Sequence, residues 1–159
     1  ELGPGAEVVV ERISYNEFST AVVECVNVLT AADGETVVNF GGGPREIFLP
    51  FSVAALVAAE EVDTVLQFTD INQNVKELHL PELMKSPPSK THQTLRAIAD
   101  LNGVSTLPKI AEQSGQSRST VGRHLDDLED ADAVETEKQE KTRHVKLTLS
   151  GRLQLFRLK

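Results

Sequence analysis

Arg118 and Arg123 stand at the start of a helical stretch, within Gln116-Ser117-Arg118-Ser119-Thr120-Val121-Gly122-Arg123-His124. A guanidinium group can clamp a phosphate or take the acceptor edge of guanine with two parallel hydrogen bonds, while hydroxyls at a helix start favour phosphate oxygens. The chemistry this points to is recognition of duplex DNA, with Gln116, Ser117, Arg118, Ser119, Thr120, Arg123 and His124 as the candidate contacts. A second constellation is Asn39-Phe40-Gly41-Gly42-Gly43-Pro44-Arg45. Glycines let backbone amides approach a phosphate or ribose closely, and the helix start that follows adds a favourable field. The stretch matches neither the GxGxxG fingerprint nor the P-loop with its lysine, so the residues leave a tight structural turn and a ligand-binding turn both open.

Chemistry of other kinds finds little support. His79, His92, His124 and His144 are scattered, and none pairs with a cysteine or takes HExxH spacing, so no metal centre is expected. Neither a GxSxG elbow nor a nucleophile-base pair occurs, and the chain is not expected to be an enzyme. The single cysteine, Cys25, falls in an apolar helical pattern with Phe18, Val22, Val26 and Leu29, where a small buried side chain fits.

The elements that must hold these residues fall into two groups around Lys85-Ser86-Pro87-Pro88-Ser89, where two prolines interrupt regular structure. Before that break, strands are expected at 7–13, 36–40, 64–68 and 75–80, with helices at 17–31 and 44–59. Strands separated by helices of this length predict βαβ crossovers and a parallel sheet. After the break come a helix over 89–101 stopped by Asn102-Gly103, and a helix over 107–113 capped by Ser105 or Thr106. Gly115 then makes a tight turn, and Ser117 caps a helix that runs to about Asp130. A hairpin (133–138 and 144–149) and a last helix from Ser150 complete the pattern.

Leu107, Ile110 and Ala111 on one helix, with Val121, Leu125 and Leu128 on the next, are the buried stripes of a helix-turn-helix whose second helix enters the major groove. The hairpin supplies a wing, with Lys141 and Arg143 at its tip as contacts to the DNA backbone. Charge agrees with this division. Residues 1–84 hold 3 Lys/Arg against 14 Asp/Glu, whereas residues 85–159 hold 13 against 10, within a net charge of −8. Excess acid confined to the first half is the asymmetry expected when only the second half meets phosphate. No apolar run reaches the roughly 18 residues of a membrane span, and no signal peptide pattern opens the chain, so a cytoplasmic protein is expected. The chain begins with Glu1 rather than methionine, and an upstream segment is expected to precede it.

The segment from Thr91 to Leu158 resembles the MarR-like and ArsR-like winged-helix regulators of archaea and bacteria, on IAEQSGQSRSTVGRHLDDLEDADAV, the wing and the closing LTLSGRLQL. Residues 5–84 resemble the CARF (CRISPR-associated Rossmann-fold) regulators, on a strand ending in Asn39, the glycine cluster with Arg45, a long apolar helix and a proline linker. Together these resemblances imply an α/β Rossmann-like domain over 1–84, a linker over 85–89 and a winged helix-turn-helix domain over 90–159. They further imply a homodimeric transcription factor of CRISPR-Cas loci that binds double-stranded DNA and senses a cyclic oligoadenylate, typically cyclic tetra-adenylate. By the same resemblance Asn39, Gly41, Gly42, Gly43 and Arg45 would touch that ligand. The family's first strand and ligand loop would then precede Glu1. Two other readings stay open: a ring nuclease with a DNA-binding appendage, and a winged helix with an unrelated effector or used for protein contacts.

Overall fold

The computed structural model describes residues 7–69, 73–139 and 142–158. Its internal contacts divide the chain into two units, Glu1–His79 and Leu80–Lys159.

In the first unit, helix α1 (Phe18–Thr30) is followed by strand β1 (Val37–Asn39), helix α2 (Arg45–Val57) and strands β2 (Thr64–Thr69) and β3 (Asn74–Leu78). Glu17 starts α1 by accepting a hydrogen bond from the Thr20 amide at 3.3 Å. α1 packs on α2, and the buried positions on the two helices are mostly small, with Ala21 and Cys25 on one and Ala54 and Ala55 on the other. Small side chains let helix axes come close, so the pair packs without bulky interlocking. β1 pairs parallel to β2, with Val38 opposite Val65, and both valines are buried. The α2 segment is the crossover between these two strands, which is the expected βαβ unit.

Two expectations fail here. β3 runs antiparallel to β2, with Leu78 opposite Val65 and Val75 opposite Phe68. Only residues 70–73 separate these strands, whereas a parallel return needs a dozen residues or more. Residues 7–13 form no strand, and Val8, Val9 and Val10 are 68%, 70% and 81% exposed. β-branched composition is a preference for a pleated, half-buried surface, and without a neighbouring strand it does not make one.

The second unit has three helices, α3 (His92–Asp100), α4 (Leu107–Ser114) and α5 (Arg118–Asp130), and a last helix α6 (Leu149–Arg157). Its sheet has three strands, β4 (Val104–Thr106), β5 (Val134–Gln139) and β6 (Thr142–Leu147), in the order β4-β6-β5 and antiparallel throughout. The short β4 was not expected from the sequence, which reads Ser105 and Thr106 only as helix caps. It pairs Ser105 with Val145 and so joins the wing to the helices. Leu95, Ile98, Ile110, Val121, Leu125, Leu128, Val134 and Val145 form one contiguous core. Asn102 and Gly103 take φ of 62° and 76° after α3, and the Leu147 amide donates to the Gly103 carbonyl at 2.7 Å. That left-handed stop turns the chain directly into β4. α4, a tight turn, α5 and the β5-β6 hairpin thus form a winged helix-turn-helix.

Among the described residues no helix is long and apolar enough to cross a membrane, and no cluster of His, Cys, Asp or Glu could hold a metal ion.

Candidate nucleic-acid interface

α5 is set as the second helix of the helix-turn-helix from its first residue. α4 ends at Gly115, whose φ of 67° is open to glycine at no steric cost, and its amide donates back to Glu112 at 3.2 Å. Ser117 then caps α5: its Oγ accepts from the Thr120 amide at 3.1 Å and lies 2.9 Å from both the Ser119 and Thr120 hydroxyls. Val121, Leu125 and Leu128 are fully buried. That rotation leaves Ser117, Arg118, Ser119 and Arg123 exposed at the leading end, with Thr120 partly covered beside them.

The charge order along α5 is the reverse of what its own stability favours. The helix N-terminus carries partial positive charge and prefers acids, while the C-terminus prefers bases. Here Arg118 and Arg123 occupy the first half, and Asp126, Asp127, Glu129 and Asp130 occupy the last turns. The unfavourable acids are offset from outside the helix. Arg143 of β6 pairs with Asp126 at 2.6 Å and Glu129 at 2.8 Å, and Lys90 pairs with Asp127 at 2.8 Å. Glu129 also accepts from the Thr136 amide and hydroxyl at 3.1 and 2.8 Å. Among the described residues no ion pair offsets the arginines at the leading end in this way, and a local rule broken without internal compensation is characteristic of a functional surface.

Three expected DNA contacts are placed otherwise. His124 is buried, with 8% of its surface exposed, and its Nδ1 lies 2.8 Å from the Thr94 hydroxyl, because it falls on the inner side of α5 beside Leu125. Gln116 is partly covered, and its amide group is engaged with Thr94 and Gln93. Arg143 turns away from the wing tip into the α5 carboxylates, and its side chain is only 16% exposed. Lys141 lies outside the described residues. On the wing flank Lys138 is exposed, while Lys146 pairs with Glu135 at 3.2 Å. The sequence reading did not foresee that Thr94 and Gln93 hold His124 and Gln116 by hydrogen bonds. The signal was present in Thr94, a hydroxyl on the same buried face of α3 as Leu95 and Ile98.

At the first unit's glycine turn, Asn39 Oδ1 accepts from the Gly41 amide at 2.7 Å, which closes the turn after β1. A side chain at Gly41 would meet that oxygen at 2.8 Å and Phe68 Cβ at 3.3 Å, so any larger residue there would have to push Asn39 out of the turn. Asn39 and Gly41 are thus already occupied in holding the turn. Gly42 and Gly43 face open space, Gly43 with φ of 108°, and the exposed Arg45 is the first residue of α2. Phe40 packs edge-on against Phe48 and Phe51 at 5.7 and 5.4 Å between ring centres.

Residues 87–138 match the family model of the IclR helix-turn-helix domain. This segment covers the end of the linker, α3, α4, α5 and most of β5. The match thus falls on the helix-turn-helix of the second unit. The match corrects the expected pairing of a MarR-like domain with a CARF domain. The buried stripes, turn glycine and wing that carried the MarR-like resemblance are what any winged helix needs to fold, so they do not separate one such family from another. Of the glycine cluster that helped carry the CARF resemblance, Gly41 is closely packed in the turn, and nothing in the comparisons supports a CRISPR role or a cyclic oligoadenylate. No curated protein matches the sequence. Among solved structures, the chain is similar to BpsR of Bordetella bronchiseptica, described as "Mechanism for regulation of DNA binding of Bordetella bronchiseptica BpsR by 6-hydroxynicotinic acid". The two are 18% identical with a TM-score of 0.41, over 44% of this chain and 55% of that one. The chain thus spans about half the length of that protein.

Proposed function

We propose that this chain is a transcriptional regulator that works as a homodimer on double-stranded DNA and responds to a small effector through its first unit. The observation that carries the DNA-binding part is the uncompensated basic leading end of α5, where Arg118 and Arg123 project beside the Ser117 and Ser119 hydroxyls. In this reading Arg118 and Arg123 read base edges or clamp flanking phosphates, the serines take phosphate oxygens, and the wing with Lys138 and Lys141 follows the neighbouring backbone. The acidic last turns of α5, held by Arg143 and Lys90, face away from the duplex.

Dimerisation follows from the geometry of the target. A single recognition helix covers few base pairs, and helix-turn-helix regulators gain specificity by joining two half-sites about 34–36 Å apart. The domain roles divide accordingly, with residues 1–84 sensing and residues 90–159 binding DNA, joined by 85–89. At the glycine turn, Gly42, Gly43 and Arg45 are the groups open to an anionic small molecule. The regulator acts by binding and not by catalysis.

The test is selection of duplexes from a randomised library by the full chain, followed by anisotropy titration at several salt concentrations. A palindromic winner bound by a dimer, with affinity falling steeply in salt, supports the reading. Failure to enrich any sequence over several rounds would remove it.

A further inference from the structure

We infer that Thr94 and His124 are positioning residues for DNA reading: a one-way chain of hydrogen bonds from His124 to the Ser114 carbonyl sets α5 against the turn that precedes it. The inference rests on the DNA-binding reading above. Four links make the chain. His124 Nδ1 meets Thr94 Oγ1 at 2.8 Å, Thr94 Oγ1 meets Gln116 Oε1 at 2.7 Å, Gln116 Nε2 meets Gln93 Oε1 at 3.5 Å, and Gln93 Nε2 meets the Ser114 carbonyl at 2.8 Å.

The direction of every link follows from the last one. A backbone carbonyl can only accept, so the Gln93 NH2 group must face Ser114 and its Oε1 must face Gln116. Gln116 then presents its own NH2 to Gln93 and its Oε1 to Thr94. The single hydroxyl proton of Thr94 is thereby committed to Gln116, which leaves only a lone pair for His124. His124 must donate, and its ring must carry the proton on Nδ1.

The chain ties three places that need not otherwise move together: the middle of α5 through His124, the α3 face through Thr94 and Gln93, and both sides of the Gly115 turn through Ser114 and Gln116. Thr94 is completely buried and His124 nearly so, so a broken link is not repaired by bulk water. Apolar packing of Val121, Leu125 and Leu128 holds α5 in the core, but apolar contacts are non-directional and leave its axial setting loosely specified. Gln116 lies next to the cap Ser117, so the setting of this chain is the setting of the leading turn that carries Arg118.

Four substitutions in the full chain test the role. Thr94→Val removes the hydroxyl at constant shape and Thr94→Ser retains it. His124→Leu removes the ring donor, whereas His124→Asn keeps a donor near the Nδ1 position. The probes are a duplex selected by the wild-type chain from a randomised library and a mixed-sequence duplex that it does not select. Thr94→Val and His124→Leu are expected to weaken the selected duplex about tenfold and the mixed-sequence duplex less than about twofold, with Thr94→Ser and His124→Asn close to wild type. Nitrogen-15 correlation spectra of the wild-type His124 ring are expected to show the proton on Nδ1, a readout that needs no variant to fold. A neutral ring protonated on Nε2 alone overturns the chain. Equal losses on both duplexes, or no difference between Thr94→Val and Thr94→Ser, overturn the positioning role. A wild-type chain that selects no duplex overturns the DNA-binding reading and this role with it, while the ring proton still reports whether the chain of bonds exists.

Discussion

Arg143 of the wing reaches back to Glu129 of α5, with Nη2 2.8 Å from Oε2, and its other terminal nitrogen lies 2.6 Å from Asp126 Oδ1. One guanidinium bridges two carboxylates one turn apart on α5, so the wing and the helix are held in one arrangement. Arg143 is mostly covered while its partners are about half exposed, so the bridge is worth about 1 kcal/mol. Arg143→Ala is expected to lower stability by that amount in urea titration and to leave the salt slope of DNA binding unchanged. A slope reduced by one phosphate contact would instead return Arg143 to the interface.

Arg118 and Arg123 are exposed and lie off the buried stripe of α5. Each alanine substitution is expected to cost roughly 1–3 kcal/mol of specific DNA affinity with the thermal midpoint unmoved. Mobility-shift titration alongside thermal unfolding checks this, and a loss of affinity that merely tracks a loss of fold would count against it.

Ser117 and Gly151 test how the domain is held together. Ser117→Ala removes the acceptor for the Thr120 amide and should destabilise by about 1 kcal/mol. Gly151→Ala is more severe, because the new Cβ would meet the Ala133 carbonyl oxygen at 2.1 Å and Leu147 Cδ1 at 2.8 Å. Backbone cannot yield as a flexible side chain can, and a loss of roughly 3 kcal/mol is expected from overpacking. Chemical denaturation of both variants should order them in this way.

Cys25 is buried on α1, and burial, with the Glu24 carboxylate as a second cause, pushes its thiol above the ordinary 9.0. The folded state disfavours the thiolate relative to the unfolded chain. Stability from this group is therefore present in full below the unfolded value and is lost as pH rises through the higher folded one. Iodoacetamide at neutral pH is expected to label Cys25 only after unfolding. Rapid labelling of the native chain would show that the α1–α2 packing opens.

Most of the second unit was legible in the sequence because its elements are specified locally. The positive φ of Gly115, the Ser117 cap and the spacing of Val121, Leu125 and Leu128 each follow from steric or periodic rules that involve a few neighbouring residues. The same rules explain why the sequence named a winged helix but chose the wrong family: residues that build the fold recur wherever the fold occurs.

What only tertiary structure decided were relations across many residues. Helical spacing from Val121 puts His124 on the inner side of α5, but only the fold brings the Thr94 hydroxyl, 30 positions earlier, to 2.8 Å from its Nδ1. Arg143 reads as a wing-tip cation until Asp126 and Glu129 are brought within ion-pair distance. Val8, Val9 and Val10 have strand composition, yet a strand requires a partner, and none of the described strands lies beside them. The turn between β2 and β3 reversed the last strand for a reason of length, since four residues cannot carry a crossover. Local preferences act through the backbone of one segment and are written in the order of its residues, whereas hydrogen-bond direction, ion pairing and strand pairing depend on which distant groups the fold brings within reach.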